Sequence, residues 1–337
     1  MKNIVTYTTI NGGHSLGQEL EYLLVNQEGL VQEEYVLQEI VRKVFYELNI
    51  KKRGHNSPNI YVDGYQVEIC SSPHQDIFKL YSEMAELNEA LQLTVQNEGL
   101  KAIKSAYCKT SSFDLGIRVY CSANQVHIGA KKLQRKKLRD AIIAYLPLFI
   151  ALGNNSPTKQ FLNGSRRLID GVWSNKLYSC FSSARGWLRE ADRVGAMVYI
   201  HHKVPTVEVR CMDRSKTLEE DIANATFIFA TSEMIKEEGL RRNVLDIFRK
   251  KIKNSITYNF FMNLFLSPET NDYMLLLDKT IDDAKKYGFD AEIESDNGSS
   301  ISLREIAMIH YKRLSDIFHR INTPKNILDT LERKLEK

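Results

Sequence analysis

The stretch Gly17-Gln18-Glu19-Leu20-Glu21-Tyr22-Leu23-Leu24-Val25 decides how the rest of the chain is read. Leu20, Tyr22 and Leu24 alternate with Glu19 and Glu21, which is the period of a β-strand with one apolar and one acidic face. Glutamate is depleted in strands, and two carboxylates on one strand face sit only about 6.6 Å apart along the chain. Taken alone, the pair reads as the solvent side of an amphipathic strand. The alternative is a divalent cation site, because hard cations select carboxylate oxygens. The choice turns on whether other strands bring matching ligands.

Three further stretches do. Residues 60–69 alternate again, with Val67 and Ile69 on one face and Gln66 and Glu68 on the other. Residues 117–128 read as a strand leading into Gln125-Val126-His127-Ile128-Gly129, with His127 opposite Val126 and Ile128; by itself such a histidine is more often a packed residue than a ligand. Pro205-Thr206-Val207-Glu208-Val209-Arg210-Cys211-Met212-Asp213 puts Val207, Val209 and Cys211 on one face and Glu208 with Arg210 on the other. If these strands share a sheet, Glu19, Glu21, Glu68, His127, Glu208 and Arg210 converge in one cleft. Carboxylates at that range repel by roughly 4 kcal/mol per close pair at an effective dielectric near 20, which divalent cations relieve. Carboxylates with one imidazole suit magnesium or manganese rather than zinc, and Arg210 adds a donor for a phosphate bridging such metals. This is the equipment of phosphoryl transfer. With no Walker loop and no Rossmann glycine fingerprint in the chain, a nucleotide would need another fold.

The segments between are mostly helical. Residues 33–48 and 76–97 carry apolar residues at helical spacing, with Asp76 as an N-cap, and residues 101–107 suggest a short strand. Asn11-Gly12-Gly13 is a turn signal joining strands at 2–9 and 15–25. The basic cluster Lys131, Lys132, Arg135, Lys136, Lys137 and Arg139 opens a helix; lysines there gain nothing from the dipole, and a solvated face is the expected role. Beyond Gly153-Asn154-Asn155-Ser156-Pro157 lie the loop arginines Arg166, Arg167 and Arg185, whose forks match carboxylate and phosphate, with ordinary surface charge as the alternative. Helices follow at 217–238, 240–265 and 272–287, with two closing helices from Ser302 and from Pro324. The expectation is one α+β domain over residues 1–337, with a mainly helical layer from about 217 to 337.

Composition narrows the class further. Hydrophobic content of 43% and charged content of 26% are those of a folded globular chain, and a net charge of +4 over 337 residues gives little support to a nucleic-acid partner. The five cysteines (Cys70, Cys108, Cys121, Cys180, Cys211) are scattered without a CxxC pair, against a disulfide framework or thiolate zinc site, and a reducing cytoplasm is the expected compartment. Met1-Lys2-Asn3-Ile4-Val5 lacks the apolar core of a signal peptide. The longest apolar run, residues 141–152, is too short to span a bilayer.

The ordered set of motifs resembles the carboxylate–amine ligases of the glutamate–cysteine ligase type 2 family. Gly17-Gln18-Glu19-Leu20-Glu21 is similar to the family's Gly-x-Glu-x-Glu strand, Val67-Glu68-Ile69 with Ser71 to its second acidic strand, and Gln125-Val126-His127-Ile128-Gly129 to its His-Val-His-Val-Gly strand. Leu146-Pro147-Leu148-Phe149 with Asn155-Ser156-Pro157, Val207-Glu208-Val209-Arg210 and Tyr287-Gly288-Phe289-Asp290-Ala291 resemble later family segments. Gln125 stands where the family has its first histidine, Ser105-Ala106-Tyr107-Cys108 replaces a Gly-Gly-Thr-His-Pro segment, and Thr280-Ile281 replaces an Asn-Arg pair.

The resemblance implies an α+β, glutamine synthetase-like fold: a curved antiparallel sheet lining an active-site cleft, with helices on its outer face. It implies an ATP-dependent ligase that joins a carboxylate to an amine, in the glutamate–cysteine case through a γ-glutamyl bond, by way of an acyl phosphate on a site for ATP and Mg2+ or Mn2+. Glu19, Glu21, Glu68, His127 and Glu208 would be metal ligands. Arg210 and Glu68 would be catalytic, and Arg210, Arg166, Arg167 and Arg185 would contact ATP or substrate. Small carboxylate and amine substrates (amino acids or peptides) and a homodimer are the expected partners, with no membrane and no nucleic acid. The rival readings are an amide hydrolase on the same fold and an inactive nucleotide- or partner-binding homologue.

Overall fold

The computed structural model describes residues 14–48, 58–104, 108–112, 116–120, 122–153, 155, 198–201, 204–238, 292–294 and 300–336. The expected turn at residues 11–13, the arginines Arg166, Arg167 and Arg185, the expected helices at 240–265 and 272–287 and the segment from Tyr287 to Ala291 lie outside the described residues.

Ten strands form one sheet: β1 (Ser15–Val25), β2 (Leu30–Val31), β3 (Asn59–Asp63), β4 (Gln66–Cys70), β5 (Lys101–Ile103), β6 (Cys108–Ser112), β7 (Gly116–Tyr120), β8 (Ala123–Gly129), β9 (Val198–Ile200) and β10 (Thr206–Asp213). The main path runs β7-β6-β2-β1-β8-β10-β9, with β4 and β5 also paired to β1 and β3 to β4. All pairings are antiparallel except β2 with β6. The opening motif therefore lies on the strand that the others flank. A small separate hairpin pairs β11 (Glu292–Glu294) with β12 (Ser300–Ser302).

The apolar face of β1 is buried as its alternation requires: Leu16, Leu20, Tyr22 and Leu24 are all fully buried, each worth about 1.5–3 kcal/mol in transfer from water. Helices α1 (Glu34–Glu47), α2 (Ile77–Asn97), α3 (Lys132–Ala144), α4 (Leu146–Gly153) and α5 (Leu218–Glu237) share that core. So do α6 (Leu303–Arg313), α7 (Ser315–Arg320) and α8 (Lys325–Glu336). The α5 helix packs against β1, β8, α2, α3, α4, α7 and α8. A helix enclosed on every side needs its polar groups satisfied internally. Accordingly Thr226, Thr231 and Ser232 donate to the carbonyls of Ile222, Phe227 and Phe229 at 2.7–2.8 Å. Asp76 caps α2 by accepting from the Lys79 amide, as expected, and Ser302 caps α6 in a reciprocal capping box with Glu305. No described helix is long and apolar enough to cross a membrane.

Three expected elements divide. Residues 60–69 are two strands, because Asp63-Gly64 is a turn signal and Gly64 takes a φ of 59° that favours glycine; the hairpin pairs Tyr61 with Glu68. Residues 117–128 split between β7, paired with β6, and β8, paired with β1 and β10. The basic helix breaks near Tyr145: Pro147 brings no N–H, and the amides of Leu148 and Phe149 both turn back to the Tyr145 carbonyl at 3.0 and 3.1 Å. Its leading residues Lys131, Lys132, Lys136 and Lys137 are exposed, a solvated face. Three closing helices follow residue 302 where two were expected.

Candidate functional site

Neighbouring strands carry the acidic row across the sheet. Glu21 on β1 pairs with Glu68 on β4, Glu19 lies opposite Cys70 on β4 and Gln125 on β8, and His127 on β8 lies opposite Glu208 on β10. The β1 residue directly opposite His127 is Gly17, so the nearest side chain to the imidazole on that strand is the diagonal Glu19. Glu19 Oε1 is 3.2 Å from His127 Nε2, and Glu208 Oε2 is 3.7 Å from the same nitrogen. Arg210 Nε lies 3.1 Å from Glu208 Oε1. A bulge in β10 between Val209 and Met212 contains Arg210, the kind of irregularity that re-aims a side chain. The sheet thus gathers Glu19, Glu21, Glu68, His127, Glu208 and Arg210 on one face, as the alternation predicts.

Contrary to a solvent-facing strand, this face is closed. Glu21, Glu68, His127 and Glu208 are buried, and Glu19 is the most open of the five, at 24% side-chain exposure. Two ligand triads meet at Glu19: Glu19, His127 and Glu208 offer donor atoms that all lie within 4.8 Å of one another, and so do Glu19, Glu68 and Cys70. Glu21, Asp63 and Glu68 form a third. Glu21 is also gripped by the protein, accepting from the Ala123 amide at 2.7 Å and from Gln125 Nε2 at 2.8 Å. Gln125 therefore anchors a carboxylate where the family it resembles has a histidine.

The protonation pattern follows from this crowding. Burial raises the Glu68 carboxyl well above its usual range, and the negative charge of Glu19 raises it further. Burial also works against Glu19, but the His127 charge and hydrogen bonds from His127 and Glu68 outweigh it and bring Glu19 down to about 2. For His127, burial disfavours the charged form, yet Glu19 and Glu208 together push it up to about 9. Burial and then Glu68 raise the Tyr61 hydroxyl, which donates to Glu68 Oε1 at 2.8 Å. Burial, then Glu68 and Glu19, raise the Cys70 thiol.

The donor set fits a divalent cation. His127 Nδ1 is engaged with Thr206 Oγ1 at 3.0 Å, while buried Nε2 faces the Glu19 and Glu208 carboxylates at 3.2 and 3.7 Å. That edge needs a proton or a cation between it and the carboxylates. The shifts of His127 and Glu68 both favour bound protons, and a divalent ion would balance the carboxylates in their place.

Sequence reasoning missed Tyr61, Cys70, Thr206 and His201. His201 Nε2 is 3.8 Å from Glu208 Oε2, and its ring centre is 5.7 Å from that of His127. The Asp63-Gly64 turn signal implies the Tyr61–Glu68 pairing, and strand parity puts Cys70 beside Glu68. His201 lies just beyond the end of β9, and its approach to Glu208 is a cross-strand fact that spacing along the chain does not encode.

This helix-backed sheet has a glutamine synthetase-like fold. Among solved structures, the glutamate–cysteine ligase of Francisella tularensis in complex with AMP is similar to it at a TM-score of 0.54 and 12% identity, over 96% of this chain and 82% of that one. Lower scores come from the complex of the prokaryotic ubiquitin-like protein Pup with its ligase PafA (0.46, 14% identity, 96% of this chain) and a bifunctional glutathione synthetase from Pasteurella multocida (0.48, 12% identity, 96% of this chain). This chain spans 63% and 47% of the lengths of those two. No family model and no curated protein sequence matches the chain.

Proposed function

We propose that the chain is an ATP- and divalent-cation-dependent ligase that joins a small carboxylate substrate to an amine, each an amino acid or peptide, forming an amide. The observation that carries this reading is the convergence of Glu19, His127 and Glu208 within 4.8 Å, beside Arg210, on a glutamine synthetase-like sheet. Glu19, His127 and Glu208 would hold one Mg2+ or Mn2+, and Glu19 with Glu68 a neighbouring one, with Glu21 braced behind them. When bound, such ions neutralise phosphoryl oxygens and orient them for in-line transfer.

The chain's own residues do the rest. The substrate carboxylate attacks the γ-phosphoryl group, ADP leaves, and the amine displaces phosphate from the acyl phosphate. Arg210, already against Glu208 at 3.1 Å, swings its remaining N–H groups onto the transferring phosphoryl oxygens, where charge accumulates. Glu68, in its ionised form, would help hold such an ion, with its orientation fixed by the Tyr61 hydroxyl, which donates to Oε1 at 2.8 Å. Arg166, Arg167 and Arg185 are proposed as contacts to polyphosphate or substrate carboxylate.

Coupled ADP release, measured with panels of acids and amines, tests the reading. Activity that requires Mg2+ or Mn2+ and disappears in Glu19→Ala and Glu208→Ala supports it; turnover unchanged in both variants sinks it.

A further inference from the structure

The two histidines beside Glu208 are held differently. The Val204 backbone N–H donates to His201 Nδ1 at 3.0 Å. A backbone amide only donates, so Nδ1 must keep its lone pair, and the ring proton sits on Nε2. The ring is steadied again by its own main chain, since the His201 amide donates to the Thr206 carbonyl at 3.0 Å and the Thr206 amide to the Val204 carbonyl at 2.8 Å. The proton-bearing edge of His201 is therefore the one turned to Glu208 Oε2, 3.8 Å away. His127 differs in kind: its Nδ1 partner is the Thr206 hydroxyl, which can accept as well as donate, leaving Nε2 able to present a lone pair.

A nitrogen that carries a proton cannot ligate a cation, whereas it can donate to an anion seated over one. His201 is 18% exposed at its side chain, against 3% for His127 and 2% for Glu208, so it stands at the rim of the cluster. Arg210 approaches the other oxygen of the same Glu208 carboxylate. Two donors thus bracket one prospective cation ligand.

We propose that His201 is a hydrogen-bond donor to a phosphoryl oxygen of the bound nucleotide and not a cation ligand, its neutral Nε2–H form being imposed by the Val204 amide. This assignment rests on the ligase reading for the identity of the anion, but not for the exclusion of His201 from the metal. His127 and His201 then divide the work, one facing the cation and the other the phosphate that the cation attracts.

The test uses the full chain with side-chain 15N-labelled histidine, Mn2+ alone, and the non-hydrolysable ATP analogue AMP-PNP with saturating Mg2+. Long-range 1H–15N correlation spectra should show His201 protonated at Nε2 and not at Nδ1, with assignment by loss of its signals in His201→Gln. Mn2+ affinity should stay within about twofold of wild type in His201→Ala and His201→Gln, and fall by tenfold or more in His127→Asn. AMP-PNP should bind about tenfold more weakly to His201→Ala, with most of the loss restored in His201→Gln, whose amide places N–H near the former Nε2. A proton found on Nδ1, or Mn2+ affinity lost in both His201 variants, overturns the assignment. Nucleotide bound equally by wild type and His201→Ala overturns the phosphate contact alone. A wild-type chain that binds Mn2+ but no nucleotide overturns the ligase reading and the contact with it, while the metal arm of the experiment still stands.

Discussion

The two faces of β1 treat charge in opposite ways. On the helix side, Arg214 and Asp221 form a fully buried ion pair, with the guanidinium 4.6 Å over the Tyr22 ring. Asp221 also accepts from the Ser215 amide at 2.8 Å, and its carbonyl accepts from Gln18 and Asn124 at 3.0 Å. That network matches one buried charge of each sign within the chain. On the cleft side, Glu19, Glu21, Glu68 and Glu208 gather like charges around the imidazoles of His127 and His201 and one guanidinium. Matched buried charge answers to the fold; a surplus of one sign points to something the chain does not supply. The difference is what separates a structural ion pair from a candidate site.

Substitutions on the two faces should separate in the same way. Asp221→Ala leaves Arg214 charged and buried, and should destabilise the protein by about 3–5 kcal/mol in urea unfolding. A loss below about 1 kcal/mol would mean that Asp221 does not compensate the buried Arg214 charge. Glu208→Ala should leave cation-free stability within about 1 kcal/mol of wild type, since it removes repulsion as well as a partner for Arg210. It should nevertheless lower metal-dependent turnover at least about 100-fold. If Glu208→Ala unfolds the protein while Asp221→Ala does not, the assignment of the two faces is reversed.

The alternation of β1, β4 and β10 made the cleft face legible, because a period of two assigns each residue to a face without knowledge of its neighbours. The cap at Asp76 was legible for a similar reason, being local. What pattern along the chain does not encode is register. That Glu19 meets His127 diagonally, that Gly17 leaves the space beside the ring, and that Thr206 reaches His127 Nδ1 are all cross-strand facts. The undivided reading of residues 60–69 erred in the other direction, following alternation through a two-residue turn that Asp63-Gly64 announces. Arg214, fully buried although arginine is rarely so, was not singled out because its partner Asp221 lies across a helix start.

Cation binding sharpens the contrast from the cleft side. In the cation-free protein, burial and Glu19 favour a proton on Glu68, while the two carboxylates, overcoming burial, favour one on His127, raised to about 9. Both must leave when the cluster ligates metal. Titrating Mn2+ at pH 7.5 in buffers of different ionisation enthalpy should therefore show net proton release, and affinity should rise with pH. Release should shrink in His127→Asn. Uptake of metal with no proton change would place the ion elsewhere.

A pair of histidines on the two faces gives the smallest and most diagnostic effect. His310, buried in α6 against Tyr145 and Phe227, hydrogen-bonds Thr231 Oγ1 at 2.9 Å, and that hydroxyl in turn donates to the Phe227 carbonyl. Burial, with Arg313 adding repulsion, lowers His310 to about 3. Its unfolded value near 6.5 is higher, so the unfolded chain takes up the proton first. Stability is then unaffected above pH 6.5 and is lost as pH falls below it, by up to about 1.4 kcal/mol per pH unit. His127 is raised instead, to about 9; its contribution is fully present below pH 6.5 and is lost as pH rises through 9. Cation-free protein should therefore weaken on both sides of pH 6.5, the acid limb flattening in His310→Gln and the alkaline limb in His127→Asn. Saturating Mg2+ should suppress only the alkaline limb, because a cation takes the place of the His127 proton and nothing replaces the one His310 refuses. Loss of the acid limb on adding Mg2+ would show that the two faces are coupled and that the division drawn at β1 fails.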